Sequence, residues 1–284
     1  MDPNDTSVIF PTTYQLLRQS VVQKPQVLYA GPGNQFNMVG VATQFKKFER
    51  KDLKPGTSIE VAVAYPTDKK QKIAPLRMTI ESYIKQQAKN LGVPINITEF
   101  FFKVKDTGVG EQPLHPGGYF GALNRIYYIL DALLEEREWE QSFTQPAIKD
   151  FQRIIIPSLE SDILCQDEVI YDKANVIFYE CITRQLVAGM GTGPGVQKDI
   201  FQLSQRLGVA LFNNPQAVTY GKVLQTLFPE LQINHADWHG VVCHRHPDGK
   251  KRDRAYFIKE LCEALNEQLK GFFEKVFDPE NKTS

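Results

Sequence analysis

Lysines at the start of a helix are the first residues in this chain whose chemistry suits a ligand. The turn Thr67-Asp68-Lys69-Lys70-Gln71-Lys72 falls between an alternating apolar run and a helically spaced one. A helix N-terminus presents unsatisfied N–H groups and the positive end of the macrodipole, which favours an anion. Lys69, Lys70 and Lys72 add point charges of the kind that hold phosphate. On spacing alone, a solvated basic turn is the commoner outcome.

Four carboxylates are the next candidates: Glu111, Glu160, Asp162 and Asp172. Glu160 and Asp162 follow the run Ile154-Ile155-Ile156, and α/β sheets place ligand sites at strand ends. Magnesium takes hard oxygen ligands, often one or two carboxylates plus substrate phosphates. Scattered acids are most often plain surface residues.

Four of the five histidines lie between His235 and His246, in a segment that also holds Asp237, Trp238, His239, Cys243 and His244. Zinc uses such ligands, but the spacing fits no standard finger. A single catalytic histidine carries no more weight, and Trp238 reads as a packing anchor. The run Gly189-Met190-Gly191-Thr192-Gly193-Pro194-Gly195 matches no dinucleotide fingerprint. It reads as a loop in which backbone could approach a ligand closely. Gly31-Pro32-Gly33-Asn34 is a turn without the Gly-Lys-Ser/Thr ending of a phosphate loop. No local frame for Ser-His-Asp or Cys-His catalysis is present.

These residues need elements to position them. Ile59, Val61 and Val63 alternate as in a strand. Ile73, Leu76, Ile80, Ile84, Ala88 and Leu91 recur at helical spacing, with Pro75 expected in the first turn and Gly92 and Pro94 closing the helix. Further strands are expected over 95–102, 153–159 and 175–180. Further helices are expected from Gly118, over 196–207 and 218–227, and in one piece over 253–277. The alternation implies an α/β layer architecture. Residues 1–56 are expected to form an N-terminal extension packed on a main domain, 57–284.

Composition sets the outer bounds. The chain has 33 basic and 33 acidic side chains, 42% apolar residues, 19 Gly and 17 Pro. These are ordinary globular values and exclude collagen-like, low-complexity and disulfide-dense classes. Zero net charge supplies no global attraction to nucleic acid, and neither basic stretch is interleaved with aromatics for base stacking. No run approaches the ~18 apolar residues of a membrane span, and the start lacks a secretory pattern. The expectation is a cytoplasmic protein. Cys165, Cys181, Cys243 and Cys262 form no C-x-x-C pair and read as free thiols.

In order and spacing, these segments resemble the inosine/xanthosine triphosphatase superfamily, hydrolases of non-standard purine nucleotides. The resemblance covers about residues 57–275. It is carried by the Lys-containing turn, Glu111-Gln112-Pro113, the helix start Gly121-Ala122-Leu123-Asn124-Arg125, and Ser158-Leu159-Glu160. The chain is most similar to the NTPase-like domain of the proline-rich and coiled-coil-containing protein family, through Tyr171-Asp172 and above all Asp237-Trp238-His239. The resemblance implies a mixed, twisted central sheet flanked by helices, in two lobes with a cleft. It also implies a regulatory, protein-binding module at the early secretory pathway or Golgi, with the protein kinase A regulatory subunit as partner. A nucleotide ligand and a homodimer are implied as well.

The catalytic carry-over is partial. Lys72 fits the phosphate lysine of the hydrolases, but Lys69 and Lys70 stand where they have Asn and Pro. Leu114-His115-Pro116-Gly117-Gly118-Tyr119 contains no carboxylate where they carry acids. Glu160 matches the remaining acidic position and would be the metal ligand. The expectation is a degenerate active site without a resident cofactor. The alternative is a magnesium-dependent inosine/xanthosine triphosphate phosphatase, with Glu111 or Asp162 supplying the missing carboxylate. Asn124, Arg125, Asp237, Trp238 and His239 are then structural or partner-binding.

Overall fold

The computed structural model describes residues 53, 56–104, 107, 109, 112–135, 151–166, 169–191, 193–207, 218–235, 238–242 and 252–279. The expected extension over 1–56 lies almost entirely outside them. Six strands form one sheet: β1 (Ile59–Tyr65), β2 (Ile95–Phe101), β3 (Arg153–Gln166), β4 (Val169–Glu180), β5 (Leu186–Met190) and β6 (Gly195–Val196). The order is β2-β1-β3-β4-β5, with β6 paired to β4. β1 runs parallel to β2 and β3, and the remaining pairs are antiparallel. The mixed α/β architecture is as the alternation implied.

The helices are α1 (Lys70–Leu91), α2 (Gly117–Glu135), α3 (Lys198–Arg206), α4 (Tyr220–Leu227), α5 (His239–Val242), α6 (Arg254–Ala264) and α7 (Asn266–Phe277). Strand periodicity decides which helix covers which face. Ile59, Val61, Val63 and Tyr65 join the core under α1, α6 and α7. Ala62 and Ala64 face the core beneath α2, which Leu123, Ile126 and Leu130 fill. β3 and β4 form a hairpin long enough to reach a third cluster. There Ile163 and Ile170 pack with Phe201, Tyr220, Leu224 and Trp238. This third cluster is a second lobe built on the far end of the same hairpin.

Several sequence expectations shift. The strands expected over 153–159 and 175–180 are longer, because each finds an antiparallel partner along its whole length. Pro75 falls past the first turn of α1, since the helix already begins at Lys70. The expected single helix over 253–277 pauses at Leu265, whose ψ of 9° departs from helical geometry. The glycine run is a loop only in its middle: Gly189 and Met190 end β5, Gly195 opens β6, and Gly191, Gly193 and Pro194 lie outside both strands. At Gly189, Gly191 and Gly193 the space is taken by protein, while Gly195 is open. A Cβ on Gly189 would come within 2.6 Å of the Leu265 side chain, and one on Gly193 within 1.3 Å of the Asp172 carbonyl oxygen.

Candidate functional site

Lys72 lies on the apolar stripe of α1 with Leu76, Ile80 and Ile84, so it points at the sheet rather than at solvent. The first turn of α1 has no side-chain cap and no acidic residue. β3 continues past the end of β1, so Glu160 and Asp162 project beyond the carboxyl end of that neighbouring strand. Strand alternation puts Ser158, Glu160 and Asp162 on the α2 face, where the Ser158 hydroxyl donates to the Ala122 carbonyl at 2.7 Å. Gly118 and Gly121 let α2 settle closely there. A Cβ at Gly118 would meet Asn175 Nδ2 at 2.5 Å, and one at Gly121 would meet Glu160 Cγ at 3.0 Å.

Glu160 is the hub. Arg125 donates to its Oε2 from Nε at 2.9 Å and from Nη2 at 2.5 Å. Lys72 Nζ reaches Oε1 at 3.5 Å, and the Ser161 amide donates to the same oxygen at 3.2 Å. A further guanidinium donor of Arg125 bonds the Pro66 carbonyl at 3.2 Å, tying α2 to the end of β1. Burial alone would raise the Glu160 pKa. Lys72 and Arg125 outweigh it and hold the carboxyl down at about 2. Lys72 is lowered to about 8, chiefly by burial; Glu160 pulls it back up, against lesser repulsion from each of Arg254, Arg125 and Lys69. One carboxylate thus serves two cations, Lys72 buried and Arg125 partly so.

Two further acid–cation units flank this hub. Asp162 is fully buried, and its Oδ2 meets His115 Nδ1 at 3.0 Å and accepts from the Gly118 amide at 3.2 Å. Its Oδ1 is buried without a hydrogen-bond partner. Asp172 Oδ2 meets His239 Nε2 at 2.9 Å and Arg254 Nη2 at 3.8 Å. His239 stacks on Trp238 at 4.3 Å between ring centroids, and Trp238 lies edge-on to Tyr220 at 4.8 Å.

The candidates from the sequence therefore divide. Lys72 and Glu160 come together, while Lys69 and Lys70 remain exposed at the helix start. Asp162 holds His115 and a helix N-terminus, and Asp172 holds His239. Asn124 donates to the Thr107 carbonyl at 2.6 Å, a loop-fastening bond. Trp238 and His239 are buried in the second lobe and its seam, as packing. Glu111, Asp237, Cys243, His244 and His246 lie outside the described residues, and His235 is exposed. Among the described residues, no group of three or more His, Cys, Asp or Glu side chains could hold a metal ion. Few oxygens are open to magnesium in this arrangement: both Glu160 oxygens already accept from protein donors, Asp162 Oδ2 is committed to His115 and Gly118, and Asp162 Oδ1 alone is without a donor.

Sequence reading alone does not reveal Arg125 as the partner of Glu160, or His115 and Arg254 as members of these pairs. Arg125 had a legible signal. It lies seven residues from Gly118 on α2, two turns along the same helix face. Arg254 opens α6, where the Asp253 side chain caps the helix by accepting from the Tyr256 amide at 3.0 Å.

No family model matches this chain, and no curated protein matches it. Among solved structures it is similar to a crystal structure of protein VC0702 from Vibrio cholerae. The two share 12% identity at a TM-score of 0.46, over 74% of this chain and 96% of that one. The α/β assignment stands on the strand order described above.

Proposed function

We propose that this domain is a regulatory, protein-binding module of NTPase-like fold that holds a phosphate-type anion, a nucleotide's included, and lacks a working hydrolytic centre. One observation carries the reading: Glu160 is occupied by Arg125 and Lys72. Metal-dependent phosphoryl transfer needs carboxylates free to seat the ion that neutralises the phosphates. Here the acid instead neutralises protein cations, and Lys72 and Arg125, two cations sharing that one carboxylate, suit an anion. The protein kinase A regulatory subunit, the early secretory location and the homodimer follow from the resemblance alone. Co-precipitation with that subunit, imaging, and light scattering of the purified chain test them in turn.

The deciding assay is phosphate release from ITP, XTP and the standard triphosphates with magnesium or manganese. No turnover above background is expected. A rate near 1 s⁻¹, within the range of ordinary enzymes, overturns the reading. The partnerless Oδ1 of Asp162 favours a second reading, a metal-dependent purine triphosphatase. That enzyme would have to draw Arg125 away from Glu160, so Arg125→Ala should raise its metal affinity.

A further inference from the structure

β2 ends the sheet, and among the described residues it pairs only with β1. A free strand edge carries unmet backbone donors and acceptors. Proteins usually blunt it with charge, proline, a bulge or a very short strand. β2 lacks these devices. It runs over Ile95–Phe101 without a proline, and it matches β1 residue for residue from Ile59 to Tyr65, which excludes a bulge. Its one charge, Glu99, is cancelled by Arg77, which donates to both carboxylate oxygens at 2.6 Å. Register puts Ile97 beside Val61 and Phe101 beside Tyr65, on the face that α1 covers. The cover stops short of the edge: Ile97 is 36% exposed and Phe101 49%. Phe101 is held in place even so, stacked on Tyr65 at 5.5 Å with Arg77 Cζ 6.0 Å from its ring centroid. Charge at this end of β2 is one-sided. Lys70 lies seven residues before Arg77, two turns along the same face of α1. Lys69, Lys70 and Lys103 are exposed there, against the exposed acid Asp68.

We propose that the free edge of β2 is a docking site for an extended peptide strand of a protein partner, apolar at alternate positions and acidic at its N-terminal end. The strand adds antiparallel to β2, the more stable pairing per residue, so its N-terminal end lies beside Phe101. Its backbone supplies the bonds that β2 lacks, and its apolar side chains cover Ile97 and Phe101. Its acidic residues meet Lys69 and Lys70. A second copy of this chain is a poorer occupant. α1 runs back from the carboxyl end of β1 to the start of β2, so an antiparallel β2–β2 pair would bring Lys69 and Lys70 toward Lys89 of the second copy, like charge against like. This inference rests on the protein-binding reading above and names its surface.

The test is fluorescence polarisation of a labelled peptide, aspartates followed by alternating valine and threonine, titrated with the full chain. Saturable binding is expected. It should weaken about tenfold or more in Ile97→Lys, which puts a charge on the edge, and in the double variant Lys69→Glu, Lys70→Glu. The double variant should instead favour a peptide with lysines in place of the aspartates. Methylating every second peptide amide should abolish binding in one register and spare it in the other, because alternate amides of a strand face opposite edges. Matching circular dichroism and thermal unfolding show that the variants lose docking and not fold. An unbound wild-type chain, equal affinity for both methylated peptides, or unchanged affinity in Ile97→Lys overturns the proposal. So does a dimer in light scattering that Ile97→Lys dissolves, which gives the edge to a second copy. Triphosphate hydrolysis overturns the regulatory reading whatever the peptide does, whereas an inactive chain that leaves the peptide unbound overturns only this edge.

Discussion

At the scale of single residues, the balance around Glu160 decides the chemistry. Removing its charge leaves buried Lys72 and partly buried Arg125 without their shared anion, and breaking a buried pair costs about 3 kcal/mol or more. Glu160→Gln should therefore lower unfolding stability by about that amount in urea titrations at neutral pH. The pH dependence follows from the depressed carboxyl. The Glu160 contribution is complete above its ordinary pKa of 4.5 and is lost as pH falls toward about 2. The variant should lack that acid-side loss. Lys72 acts at the other end. Because its folded pKa is lowered from 10.5 to about 8, its own contribution to stability rises with pH across that interval. Affinity for a probe anion such as pyrophosphate should fall as pH passes about 8, because the ammonium is then being lost. Isothermal titration across pH 6.5–9.5, compared with Lys72→Met, measures this. These pairings were only half legible in the chain. Lys72, Glu160 and Arg125 could be picked out by type and place, but that Arg125 holds Glu160 and that His115 meets Asp162 could not. A cation's partner 35 residues or more away depends on how strand and helix meet.

At the scale of elements, close approach is what holds the site together. The Cβ of an alanine at Gly193 would overlap the Asp172 carbonyl oxygen, leaving no room without moving β6 from β4. Gly193→Ala should cost about 1–3 kcal/mol, the usual range for forced overpacking, and should weaken the Asp172–His239 pair. Nuclear magnetic resonance shifts of the His239 ring report that pair directly. The end of α7 depends on a different contact. Arg153, fully buried, donates from Nε to the Val276 carbonyl, satisfying a helix C-terminus with a cation. Arg153→Met should cost about 3 kcal/mol and free the end of α7, measurable as faster amide exchange there. The sequence's apolar periodicity was enough for α1, α2, β1 and β2 and for part of β3 and β4, but it did not find β5 or β6. It failed on the glycine run, because a glycine needed for tight packing and one needed for a loop look the same in one dimension.

At the scale of the whole molecule, the β3–β4 hairpin joins two packing regions, and the acid–base pairs sit along it. Trp238, with only 2% of its surface exposed, anchors the second lobe between Tyr220 and His239. Trp238→Ala should cost about 3–5 kcal/mol, as for a large buried aromatic. Exchange protection should drop in α3 and α4 while β1 keeps its own, because Ala62 and Val63 pack in the other two clusters. Uniform loss of protection across both lobes would show instead that they unfold as one unit.

By itself, the sequence determined the layer type, the main helices and strands, and the charged residues worth watching. Those follow from periodicity and from side-chain chemistry, which are local. The tertiary structure alone decided that Glu160 is held by Arg125 and Lys72, that Asp162 holds His115, and that Gly189 receives Leu265. A carboxylate's role depends on which donors reach it first, and that is set by the packing of distant segments, not by the residue or its neighbours in the chain.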